Sequence, residues 1–85
     1  MWLVVYFAST TKNLFMNKQF VLKLGTKIRS IRESKNLTQD DIGINGVSRS
    51  MISLLELGLT DITSSKLKIV ADNMGVKVQE LFDFE

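Results

Sequence analysis

From Phe20 to Lys35 the apolar residues Val21, Leu24, Ile28 and Ile31 recur at spacings of three, four and three, the period of a helix with one buried face. This predicts a first helix. The stretch "KNLTQDD" breaks the pattern and restarts it. Thr38 stands as N-cap of a second helix beginning at Gln39, and Asp41 occupies the reciprocal capping-box position. That helix is predicted to be short, because Gly43, Asn45 and Gly46 follow at once, and Asn and Gly tolerate a left-handed terminus. Ser48 caps a third helix running through Leu57, with Ile52 and Leu55 facing inward, Val47 stapling its start and Gly58 ending it. Thr63 caps a fourth helix carrying Leu67, Val70, Ala71 and Met74 on one face and closed by Gly75. A fifth, shorter helix is predicted over Val78 to Phe82. The expected fold class is therefore all-α, a compact five-helix domain.

The opening "MWLVVYFAS" does not fit that pattern. Its run of Val4, Val5, Tyr6 and Phe7 favours a strand, so residues 1–17 read as an extension, either a short strand or disordered, ahead of a domain over 18–85. A lone strand needs a pairing partner, such as its copy in a dimer. Met16 offers a second start that would leave residues 1–15 outside the domain. The segment is too short to span a bilayer and lacks the charged start and longer apolar core of a signal peptide. The expectation is a cytoplasmic protein with no membrane partner.

Composition narrows the chemistry further. A chain of 85 residues, 45% hydrophobic and 24% charged, is an ordinary single globular domain. It contains no cysteine and no histidine, which removes disulfides, thiolate nucleophiles, the common zinc frameworks and the usual general base. No Gly-rich phosphate loop or EF-hand spacing occurs. The expectation is a non-enzyme without cofactor or metal. The net charge of +2 is mild, but its distribution is uneven. Lys18 to Lys35 holds six cations (Lys18, Lys23, Lys27, Arg29, Arg32, Lys35) against Glu33, whereas Leu59 to Glu85 holds three cations against five acids. A basic stripe of this kind suits phosphates, and it is equally the solvated face of a surface helix.

Two short helices joined by a Gly-containing turn, the first opening "TQ" and the second "SRS", form a helix-turn-helix candidate. With "LGTKIRSIRESKNLTQDDI", "GVSRSMISLLELG" and "LKIVADNMGVKVQELF" in order, the stretch from Leu24 to Phe82 resembles the lambda repressor and Cro (Xre-type) helix-turn-helix family. The resemblance implies a five-helix domain that binds double-stranded DNA, commonly as a homodimer on an inverted repeat. It implies base contacts from Arg49 and Ser50, with Ser53 one turn further on, and phosphate contacts from Gln39, Thr38, Ser48 and Thr60. Independently, free N–H groups at helix N-termini suit phosphates, and arginine suits the O6 and N7 of guanine. The resemblance also implies an Arg32–Glu56 ion pair tying the first helix to the third.

Three departures from the family pattern stand out. The segment from Gln39 to Gly46 is one residue shorter than usual, with Gly43 where the family has a small residue for close helix packing. Leu54 replaces a common Gln or Arg, with Leu57 and Leu59 beside it. The loop "GLTDIT" carries no cation. A sequence-specific regulator, with repression as its expected role, is therefore weighed against a protein-interaction module or antagonist that uses Leu54, Leu57 and Leu59 to bind a protein partner.

Overall fold

The computed structural model describes residues 2–84, with side chains from residue 18 onward. It is helical, with no strand among the described residues. Helix α1 spans Trp2–Ser34, α2 Gln39–Ile42, α3 Arg49–Glu56 and α4 Ser64–Met74, and a 3₁₀ helix covers Val78–Phe82. The fifth element is thus 3₁₀ rather than α.

The strand expected over Val4 to Phe7 is not formed; these residues lie in α1, which is continuous over 33 residues. The correction has a physical reason. A strand at residues 4–7 would need a partner for every other backbone group, whereas a helix bonds internally and grows one residue at a time from a nucleus already formed. No proline or glycine lies between Trp2 and Leu24 to stop it.

The helices end where short-range chemistry ends them. At the close of α1, Asn36 adopts φ 59°, and its N–H and that of Leu37 donate to the carbonyls of Glu33 and Arg32, both at 3.0 Å. This pair of hydrogen bonds is a Schellman closure. At the end of α3, the same closure runs from Gly58 N–H to the Leu55 carbonyl and from Leu59 N–H to the Leu54 carbonyl.

The core collects one apolar face from each element. Leu24 and Ile28 of α1, Ile42 of α2, Val47 of the turn, Ile52 and Leu55 of α3, Leu67, Val70, Ala71 and Met74 of α4, and Leu81 of the 3₁₀ helix are all buried together. Ile31 is half-buried against this cluster. The inward faces expected from the helical period are the faces the core uses. Phe20 stacks on Phe82 at 5.6 Å and meets Phe84 edge-on at the same distance, which fastens the C-terminal segment to α1.

Among the described residues, no helix is long and apolar enough to cross a membrane.

Candidate nucleic-acid interface

The candidate interface comprises α2, the following turn and α3. Thr38 Oγ1 accepts from Asp41 N–H at 3.1 Å, while the Asp41 carboxylate accepts from Thr38 N–H at 2.7 Å, so the capping box expected from "TQDD" is formed. The Thr38 N–H, and secondarily its hydroxyl, hold the Asp41 carboxyl below the usual carboxylate value. A depressed folded value means that the contribution of this box is present above the unfolded carboxylate value and fades as pH falls through the folded one. Ser48 Oγ accepts from Met51 N–H at 3.0 Å and caps α3 in the same manner.

Between these caps the turn is tight. Asn45 and Gly46 take φ 60° and 102°, the left-handed region that only Gly, and Asn among few others, enters easily. Gly43 does not. Its φ is −87°, and its value lies in size: a Cβ there would stand 2.7 Å from Arg49 N and 2.8 Å from Arg49 Cα. The backbones of α2 and α3 therefore meet at a point where no side chain fits.

Asn73 of α4 pins this turn from behind. Its Nδ2 donates to the carbonyls of Ile42 and Ile44, both at 3.0 Å, and its Oδ1 accepts from Asn45 Nδ2 at 2.9 Å. Sequence reasoning missed this residue, since the partners lie 28 to 31 positions away. Asn73→Ala is expected to lower stability by about 1–2 kcal/mol, because the Ile42 carbonyl loses its partner. It should also speed amide hydrogen exchange at Gly43 and Val47, whose N–H groups donate to the Gln39 and Ile44 carbonyls. Unchanged exchange at those two amides would show that the turn holds without Asn73.

Beneath the interface lies an ion pair. Arg32 Nε donates to Glu56 Oε2 at 2.7 Å and Nη2 to Oε1 at 2.9 Å, a two-pronged contact, while Nη1 reaches the Leu37 carbonyl at 2.8 Å. The side chains are 11% and 3% exposed. Hydrogen bonding to Glu56 raises the Arg32 pKa, burial opposes the rise, and the Glu56 charge supports it. Gln39 joins the cluster, with Nε2 donating to Glu56 Oε1 at 3.1 Å. One amide proton of Gln39 is thereby engaged, which leaves the second for another acceptor.

The other expected contact residues are distributed unevenly. Arg49 and Ser50 are exposed at the start of α3, and Ser53, one turn along, is half-buried. Arg49 Nε lies 3.2 Å from Asp40 Oδ1, a partner not anticipated from the sequence. Thr60 is half-buried and its hydroxyl donates to the Asp61 carbonyl at 3.2 Å, so its proton must change partner before it can serve a phosphate. Leu54, Leu57 and Leu59 are exposed, Leu59 at 69%. Among the described residues no group of acidic side chains is arranged to hold a metal ion.

A family model described as helix-turn-helix matches residues 28–81, from the last two turns of α1 to the 3₁₀ helix. No curated protein and no solved structure matches.

Proposed function

The chain belongs to the helix-turn-helix family of DNA-binding regulators, of the lambda repressor and Cro type, and from that premise we propose that it is a sequence-specific transcriptional repressor. It binds an inverted-repeat operator as a homodimer, with α3 in the major groove. The observation that carries this reading is the exposed start of α3: Arg49 and Ser50 project from a capped helix terminus beside the capped start of α2. Arg49 reads a guanine, Ser50 and Ser53 contact neighbouring base edges, and Gln39, Thr38, Ser48 and Thr60 lie along the phosphates. The loop after α3 offers no cation, so each protomer binds modestly and the two-fold site doubles its contacts.

The test is to footprint the protein on DNA upstream of its own gene at low and at physiological salt. A protected inverted repeat, with half-sites about 34 Å apart and affinity falling steeply as salt rises, is the expected result. Arg49→Ala should lose about 1–3 kcal/mol of binding and relax recognition at a single base position. An operator affinity unchanged in that variant would remove Arg49 from the base-reading role.

A second reading is favoured by one observation. Leu54, Leu57 and Leu59 are exposed where α3 ends, and Leu22 of α1 packs against Gly58 between them, so apolar surface continues from one helix to the other. On that reading the domain binds a protein, its binding responds little to salt, and Leu57→Lys abolishes it. A folded protein that protects no DNA at either salt supports this second reading.

A further inference from the structure

We propose that Asp40 is a specificity-determining residue, orienting the Arg49 guanidinium so that its two terminal nitrogens read a guanine end-on. The inference rests on the reading of α3 as the helix that enters the major groove. The contact joins the two helices of the motif: Arg49 is the first residue of α3 and Asp40 the second of α2, and Arg49 Nε stands 3.2 Å from Asp40 Oδ1. A guanidinium carries five N–H donors in a rigid plane. A carboxylate on the Nε side of the guanidinium leaves both Nη groups clear, the fork that matches O6 and N7 of guanine.

Among the described residues, the Asp40 carboxylate makes no other ion pair or hydrogen bond. The capping box of α2 is made by Asp41, which exchanges hydrogen bonds with Thr38. Arg49 and Asp40 are 63% and 77% exposed, so their attraction does little for folding. Its consequence falls on binding. An unrestrained arginine loses rotamer freedom when it docks on a base, and an arginine drawn towards a neighbouring carboxylate loses less. The carboxylate also discriminates. An arginine drawn to Asp40 is less able to swing towards another acceptor, and the carboxylate itself repels the phosphates of any duplex, so binding without the guanine contact is the weaker.

The experiment is selection from a randomised duplex library by the wild-type protein and by Asp40→Asn, Arg49→Ala and the double variant. Each is checked for folding by circular dichroism, and the bound fractions are sequenced. The wild type should enrich guanine at a position whose preference Arg49→Ala loses. Asp40→Asn should weaken that same preference by about two- to fivefold, the scale of an exposed ion pair, while its binding to unselected duplex strengthens. The double variant should lose no more discrimination at that position than Arg49→Ala alone. If folded Asp40→Asn keeps or sharpens the wild-type preference there, Asp40 merely neutralises Arg49; the inference then fails and the DNA-reading function stands. A motif that Arg49→Ala leaves unchanged also overturns it. If the folded wild type enriches no sequence at all, the DNA-reading function itself fails and takes the inference with it.

Discussion

Replacing Glu56 with alanine is expected to lower the free energy of unfolding by about 3–5 kcal/mol, the range seen when one partner of a buried ion pair is removed. The Glu56 side chain is 3% exposed and accepts three hydrogen bonds, two from Arg32 and one from Gln39. Without it, the Arg32 guanidinium stays buried with the Leu37 carbonyl as its remaining partner at hydrogen-bonding distance. The penalty is mainly that stranded charge. A domain of this length has a total stability of about 4–13 kcal/mol, so the loss removes a large share of it. The exposed Lys68–Asp72 pair, at 3.0 Å, supplies the contrast: Lys68→Ala should change stability by less than about 1 kcal/mol. Urea unfolding followed by far-UV circular dichroism compares the two. Equal midpoint shifts would mean that burial adds nothing to the Arg32–Glu56 contact.

Gly25→Ala is the second substitution with a large expected effect, and it runs against local propensity. Within a helix, alanine is favoured over glycine by about 1 kcal/mol, so an isolated α1 would gain from the change. In the folded domain the added Cβ falls on the Leu55 carbonyl oxygen and stands 3.1 Å from Glu56 Cα. Both are backbone atoms of the end of α3, and neither can swing aside as a side chain would. Helices α1 and α3 must then separate, lifting Leu24 and Ile28 from the shared core. Overpacking of this kind costs about 1–3 kcal/mol and sometimes more, and here it should exceed the propensity gain by about 2 kcal/mol. Thermal melting of Gly25→Ala beside Ser30→Ala, an exposed position on the same helix, measures the difference. A Gly25→Ala protein as stable as the wild type would show that the two helices do not approach this closely in solution.

These two residues mark different degrees of legibility in the sequence. Arg32 and Glu56 were paired through the family resemblance, since nothing in the spacing of two charges 24 positions apart says that they meet. Gly25 carried no local signal at all. Seen along the chain it is a mild defect in a helix, and its necessity appears only when the end of α3 is laid across it. Asn73 is similar: one polar residue in the last turn of α4 becomes the clamp on the turn between α2 and α3. For Arg49 the sequence points to an exposed position at the start of α3, whereas its Asp40 neighbour emerges from the angle between two helices. The family pattern gives Gly43 to close helix packing, while its place beside Asn45 and Gly46 suits a left-handed turn; the first role is the one its surroundings require.

The sequence by itself determined the start of α2, α3 and α4, the inward face of each element and the absence of cysteine and histidine chemistry. A cap is a hydrogen bond reaching two or three residues, and a helical face repeats every three or four, so both are written in neighbouring positions. Tertiary structure alone decided which backbones touch at Gly25 and Gly43, where the amide of Asn73 goes, and that Asp40 lies beside Arg49. The N-terminal segment follows neither route: its β-favouring residues continue α1 because a strand draws its stability from a partner elsewhere and a helix draws its hydrogen bonds from itself.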